Sequence, residues 1–342
     1  MKVILLLIIV LLASSGCASL PGVNPDPQPS WLIEKKIESP AFSPDGKEIV
    51  FSFHSETGRS LYKVNIDGTN LTMLGKQGAY DTDPRYSPDG KTILFSSVSD
   101  GKQADICLMK SDGFDKVCLT AGPDHDFNPI FSPDGARIYF VRAKFFGNYS
   151  PIARPSWHKN DVYSINVDGT GLTQVTHKGF YRLVNLSIHP DGKKLLARVT
   201  AEDKAHSMWI ISLEDTNKLE PLEPVLDEYR TTGFFLKMTS IQYDHLFNPM
   251  FSPDGKSLLF TWHYPSTPYS QIFIMDLETR KAKRITSLEK LMIWGDPSFS
   301  HDGKLVVFST LKSDALLRYI PALWIVNKDG SGLRMVTFVK TQ

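Results

Sequence analysis

The sequence predicts an all-β fold, a six-bladed β-propeller of four-stranded antiparallel blades. Three observations carry that expectation. The turn Ser-Pro-Asp-Gly stands at Ser43-Pro44-Asp45-Gly46, Ser87-Pro88-Asp89-Gly90, Ser132-Pro133-Asp134-Gly135 and Ser252-Pro253-Asp254-Gly255, with degenerate copies at His189-Pro190-Asp191-Gly192 and His301-Asp302-Gly303. Each copy sits between two short apolar runs, and a second turn follows about twenty residues later. The copies lie roughly 45 to 60 residues apart, the length of one propeller blade. Pro pre-sets φ for the first central position of such a turn, Asp suits the second, and Gly takes the left-handed position that follows.

The 342 residues begin with a segment outside this pattern. Met1-Lys2 precedes the apolar run Val3 to Leu12, and Ala13-Ser14-Ser15-Gly16-Cys17 follows. A basic start, a short apolar core and small residues describe an export signal over residues 1–16. The ending Gly16-Cys17 resembles the bacterial lipoprotein signal, which implies lipidation at Cys17. Ala18 after the cysteine resembles the pattern of lipoproteins sorted to the outer membrane. Residues 17–30, with Pro21, Pro25, Pro27 and Pro29, read as the lipidated cysteine and a flexible tether. The propeller is expected over residues 31–342. The two remaining cysteines, Cys107 and Cys118, flank the turn Ser111-Asp112-Gly113. They are either bridged across one hairpin or separate small core residues.

Within each unit the first strand leads into the tetrapeptide and the second leaves it, as in Ile49-Val50-Phe51 and Leu258-Leu259-Phe260. The third is aromatic and β-branched, as in Met208-Trp209-Ile210-Ile211. A turn such as Asp67-Gly68 or Asp329-Gly330 then leads to a fourth strand ending near Leu71-Thr72 or Val336-Thr337. The last unit carries its own fourth strand. The ring therefore closes by packing of faces or by Trp31-Leu32-Ile33 joining as an extra outer strand.

The run of Asp/Asn-Pro, aromatic, Ser-Pro-Asp-Gly-Lys, apolar strand, Asp-Gly turn and Leu-Thr ending resembles the propeller repeat of the TolB family. The resemblance covers all six units. It stops short of the α/β domain that precedes the propeller in that family, for which residues 17–31 offer no room. It implies a periplasmic envelope protein that binds protein partners. The repeat is shared by scaffolds, peptidase propellers and binding proteins, so fold alone does not settle function.

Strand order puts both turn types at one end of each blade and the irregular connections at the other. Two segments there carry aromatic and charged anchors for a protein partner. One has Phe145, Phe146, Tyr149, Trp157 and His158; the other has Tyr229, Arg230, Phe234, Phe235 and Tyr243. Leu311 to Ala322 forms a third insertion. Ser39, Asp83, Asn128, Asn185, Asn248 and Asp296 precede the innermost strands and are expected to ring the channel mouth on that side. Their oxygens suit a hard cation or polar ligand; capping of a local turn is the competing reading.

Of the histidines, His125 and His245 are the candidates for a transition-metal site, with His54, His158 and His263 nearby in the pattern. No short-spaced ligand motif, phosphate loop or Gly-x-Ser-x-Gly elbow occurs, so no cofactor and no hydrolase chemistry is expected. Lys plus Arg is 38 and Asp plus Glu 37, a balance that disfavours nucleic acid. The expected function is a lipid-anchored periplasmic scaffold for an envelope protein, attached to the outer membrane. The alternative is a metal-dependent lyase or glycan-processing enzyme working on the channel-mouth face.

Overall fold

The structure, a computed structural model, describes residues 35–99, 103–146, 156–201, 204–226, 246–263, 270–286, 292–293, 296–313 and 319–338. The signal segment, Cys17 and the tether lie outside them.

Residues 35–338 form six blades in chain order. Blade one holds β1 (Lys36–Phe42), β2 (Glu48–Ser55), β3 (Gly58–Asn65) and β4 (Thr72–Leu74). Blade two holds β5 (Asp81–Tyr86), β6 (Thr92–Ser99), β7 (Gln103–Lys110) and β8 (Val117–Cys118). Blade three holds β9 (His125–Phe131), β10 (Arg137–Phe146), β11 (Ser156–Asn166) and β12 (Thr173–Gln174). Blade four holds β13 (Arg182–Ile188), β14 (Lys194–Ala201), β15 (Lys204–Ser212) and β16 (Leu219–Leu222). In blade five, β17 (Val225–Leu226) runs parallel to the outer strand β21 (Lys281–Arg284), beyond β18 (Leu246–Phe251), β19 (Ser257–His263) and β20 (Ser270–Asp276). In blade six, β22 (Met292–Ile293) and β23 (Ser298–Phe299) both pair with β24 (Leu305–Ser313), followed by β25 (Tyr319–Asn327) and β26 (Arg334–Phe338).

The Ser-Pro-Asp-Gly turn is a closed local network. The serine hydroxyl donates to the aspartate at 2.5–2.7 Å in five blades. The same hydroxyl accepts the amide five residues on, at 2.9–3.0 Å. The aspartate accepts the amide two residues after it, at 2.8–3.1 Å, in all six. Those bonds hold the exposed turn aspartates, such as Asp45, below the usual carboxylate range. Ser300 supplies the serine in blade six, so that copy lacks only the proline.

In blade four His189 replaces the serine. Its Nδ1 lies 2.8 Å from Asp191 Oδ1. Its Nε2 lies 3.2 Å from the Gly255 carbonyl oxygen of blade five, which can only accept. A side chain on Gly255 would collide with that imidazole, since a Cβ would fall 2.5 Å from Nε2.

The core is a set of six similar inter-blade layers. The second strand of five blades carries a fully buried phenylalanine: Phe51, Phe95, Phe140, Phe260 and Phe308. Each packs back against the preceding blade, and Ala197 takes that place in blade four. Burial of each phenylalanine contributes about 1.5–3 kcal/mol relative to exposure.

The layer between blade six and blade one is built the same way. Val307, Leu323, Ile325 and Val336 meet Ile37, Phe42, Phe51 and Phe53. The Ser309 hydroxyl donates to the Ile37 carbonyl at 2.7 Å, and Arg334 Nη1 donates to the Ile66 carbonyl at 2.9 Å. Among the described residues blades six and one meet by face packing, and Trp31-Leu32-Ile33, the alternative closing strand, lies outside them. Cys107 and Cys118, directly opposite across β7 and β8, are joined by a disulfide.

Candidate functional site

The six ring residues converge on the central axis. Five lie inside the innermost strand of their blade rather than before it, as the sequence had placed them. Asp296 alone stands ahead of its strand, between β22 and β23. The five share one backbone device: Ser39, Asp83, Asn128, Asn185 and Asn248 all have left-handed φ, between 49° and 58°. Each sits where the register of first and second strands slips by a bulge. A bulge re-aims a side chain, and Asn and Asp tolerate the left-handed region better than other non-glycine residues. The side chains of Ser39 and Asn128 bond across blades rather than capping a local turn. Asn128 Oδ1 accepts the backbone amide of Asn185 in the next blade, at 3.0 Å.

Two cavities meet at this ring. One, of about 340 Å³, opens on the turn end, where Pro44, Pro88, Pro133, Pro190, Pro253 and His301 stand in equivalent places. The other, of about 840 Å³, opens on the opposite end. Asp83, Asn128, Asn185, Asn248 and Asp296 line both, so the ring is a waist of the channel rather than its mouth.

At the waist the Ser39 hydroxyl lies 2.9 Å from Asp83 Oδ1 and 3.2 Å from Asp296 Oδ2. One hydroxyl hydrogen serves one carboxylate at a time. Burial, and then the charge of Asp83, push Asp296 up to about 6, against the opposing pull of Arg85. A proton on Asp296 completes the set, with Asp296 donating to Ser39 and Ser39 to Asp83. Arg85 Nη1 donates to the Pro84 carbonyl at 3.2 Å.

In the segment read as an insertion after Arg142, the described residues 142–146 and 156–160 are strand. β10 and β11 pair out to Phe145↔Trp157 and Phe146↔Ser156, with a bulge between Ala143 and Lys144. Phe145 is 39% exposed near the tip. The Lys159 ammonium lies 5.4 Å from the Phe146 ring centre, and the His158 ring 6.5 Å from it. Arg142 at the root holds Asp126 with two bonds of 2.7 Å and lies over Tyr163 at 5.0 Å. Of Leu311 to Ala322, the described residues likewise pair as strand, Leu311 to Ser313 in β24 against Tyr319 to Pro321 in β25. Trp157 is placed by its backbone only. Tyr149, Tyr229, Arg230, Phe234, Phe235, Tyr243 and His245 lie outside the described residues.

His125 Nδ1 accepts the Ala104 amide at 3.0 Å, and burial lowers the affinity of its ring for a second proton. Among the described residues no three His, Cys, Asp or Glu side chains are grouped to hold a metal ion.

The sequence reading missed Arg182, Arg198, Phe247 and Thr261, which line the larger cavity. Arg198 was visible in principle, as a charge directly after the apolar run Leu195-Leu196-Ala197.

A family model described as the TolB beta propeller domain matches residues 33–146. A Protein TolB homolog of Chlorobium luteolum is 30% identical over 107 residues. Residues 33–146 therefore carry the TolB-like β-propeller repeat. That match covers 31% of this chain and 24% of the Chlorobium protein, so the chain spans about a quarter of that relative's length. The fold of this TolB-like propeller is also that of TolB from Acinetobacter baumannii, with TM-score 0.58 and 19% identity. There the match covers 88% of this chain and 63% of the other. An oligogalacturonate lyase in complex with manganese has TM-score 0.56 and 15% identity over 89% of this chain and 78% of its own. A puromycin hydrolase variant has TM-score 0.60 and 10% identity over 91% and 55%. Likenesses at these identities concern the fold.

Proposed function

We propose that this propeller is a protein-interaction scaffold of the bacterial envelope, exported to the periplasm and held at the outer membrane by lipid on Cys17. The observation that carries the reading is the β10–β11 hairpin. It extends a rigid blade at the irregular end and presents Phe145 with Phe146, His158 and Lys159 beside it. Aromatic side chains on a rigid support are the usual anchors of interfaces. The Cys107–Cys118 disulfide agrees with an oxidising compartment. The family match agrees with an envelope setting.

Two measurements test it. Replacing Cys17 with alanine is expected to move the chain from the membrane to the soluble fraction and abolish palmitate labelling. A photo-crosslinker at position 145 in intact cells is expected to trap one envelope protein, and the Phe146→Ala change is expected to weaken that adduct at least tenfold. Membrane retention of the alanine variant would overturn the anchor, and absence of a defined adduct would overturn the interface.

A further inference from the structure

Around the ring the lysine of the tetrapeptide turn is answered by a carboxylate, except in blade five. Lys47, Lys91 and Lys304 lie 3.3–3.8 Å from the aspartate of their own turn, and Lys193 lies 2.9 Å from Glu214. Blade three has Ala136 there. In blade five the turn aspartate, Asp254, is taken by Lys328 of blade six at 3.6 Å, which leaves the exposed Lys256 without an ion pair among the described residues. The Lys256 carbonyl accepts the Leu277 amide at 3.0 Å, so this lysine stands against the turn that opens β21. Arg280, Lys281, Lys283 and Arg284 follow, four cations in five residues of a chain whose net charge is +1. Lys281, Lys283 and Arg284 are exposed, and Arg280 is half-buried. None of the four makes an ion pair or a side-chain hydrogen bond among the described residues. Lys283 stands near Asp329 of blade six, which is itself bonded to Ser331. Asp276 is held by Thr279 within its own turn. Of the exposed carboxylates on the segments that build this edge, Glu223 and Glu278 remain, two against five cations.

The same rim carries apolar surface. β17 runs parallel to β21 on its outer side, with Val225 opposite Lys281. Val225 is 39% exposed and follows the half-buried Pro224. Ala282 turns into the layer between blades four and five, so Lys281 and Lys283 share the other face of the strand. A row of cations beside an exposed apolar residue is the chemistry of a bilayer interface. Phosphates meet the cations, and the apolar side chain enters the headgroup layer. A soluble polyanion would leave the valine in water.

We propose that the outer rim of blade five is a docking surface for anionic phospholipid, with Lys256, Arg280, Lys281, Lys283 and Arg284 against the headgroups and Val225 among them. Each cation held near such a surface strengthens binding about fivefold. The attraction acts within a Debye length, about 10 Å at 0.1 M salt, and does not need lipid on Cys17. It goes beyond the scaffold reading by giving the propeller a side that faces the membrane. Blade three stands two places round the ring, so its hairpin takes no part in the docked rim.

Amine-reactive footprinting of the full chain on vesicles tests it. One set is phosphatidylcholine alone, and the other contains about 30% phosphatidylglycerol, enough charge to attract a basic segment. Labelling of Lys256, Lys281 and Lys283 is expected to fall about threefold or more on the anionic set, with Lys91 and Lys110 of blade two unchanged. At 1 M salt, where the Debye length is about 3 Å, the difference is expected to vanish. In the unlipidated Cys17→Ala chain, Lys281→Gln and Lys283→Gln together are expected to cut the preference for anionic over neutral vesicles at least tenfold. Both lysines are exposed, and a melting curve shows that the variant folds. With lipid on Cys17 the parent chain sediments with both sets, and without it with the anionic set alone, so anchor and docking fail separately. A photo-crosslinker at position 225 is expected to take up phospholipid on the anionic set. Equal labelling on the two sets, or a loss spread evenly over all lysines, would overturn the proposal. Protected lysines with no lipid adduct at position 225 would mark a site for soluble polyanions and overturn the lipid assignment.

Discussion

At the residue scale the channel ring is a set of strained positions kept for where they point. A left-handed φ at a non-glycine residue costs on the order of 1 kcal/mol and persists where the surrounding structure over-determines it. Asn248, at φ 57°, is a clean place to measure this. Asn248→Gly is expected to fold at least as stably as the parent, and Asn248→Ala to be less stable than the glycine variant by about 1 kcal/mol in urea. The reverse order would mean that the backbone there is not left-handed. Asp296 carries a second cost. Its carboxyl is raised to about 6 from an ordinary value of 3.8, so between those values the folded state holds a proton that the unfolded chain releases. Stability therefore falls as pH rises from about 4 to about 6, and the penalty stays constant above. Asp296→Asn removes the charge. It is expected to be more stable than the parent at pH 8, by on the order of 1–3 kcal/mol, and to match it near pH 4. An equal gap at both pH values would refute the account. The ring was legible because each blade repeats one polar residue at one place. Its left-handed backbone was not, because the bulge arises from pairing between strands and leaves no local mark. Arg198 stood out only as a charge after an apolar run, and that Arg182 and Arg198 line the larger cavity follows from the assembled ring.

At the element scale the tetrapeptide turns were readable because their chemistry is local, with serine, aspartate and glycine bonding within six residues. His189 shows the limit of such reading. It satisfies its own turn and also reaches the neighbouring blade, a role that no local pattern encodes. The β10–β11 extension was legible as extra residues between second and third strands, but its strand pairing was not, because the bulge at Ala143/Lys144 shifts the alternation of inward and outward side chains. Blade two shows how a short edge is secured. Its outer strand has only two residues, and the disulfide ties Cys118 there to the buried Cys107. Cysteines eleven residues apart close a loop worth about 3 kcal/mol in unfolded-chain entropy. Dithiothreitol is accordingly expected to lower the urea midpoint of the parent protein by an amount equivalent to about 2–3 kcal/mol. A midpoint unmoved by reduction would show that the bond merely decorates an edge that pairing already holds.

At the scale of the whole molecule five layers of the ring are joined by chain and one, among the described residues, by contact. Blades one and two are linked by residues 75–80, whereas blades six and one meet through side chains and a few hydrogen bonds among the described residues. The sequence left that closure open because a blade complete in itself permits either solution. Opening the contact-only layer frees two chain segments without stretching a connection, so it is the layer where local unfolding costs least. Two isoleucines separate this effect from ordinary core loss. Ile37 is 1% exposed in the closing layer, and Ile93 is 0% exposed in the layer between blades one and two. Each change to alanine is expected to cost about 2–5 kcal/mol. Only Ile37→Ala is expected to speed hydrogen exchange in β1, β24 and β25 ahead of the remaining blades, because only there does the lost packing release an end of the ring. Ile93→Ala is expected to raise exchange together with global unfolding. Matching exchange patterns in the two variants would show that closure is as strong as the five covalently bridged layers, and that the ring unfolds as one unit.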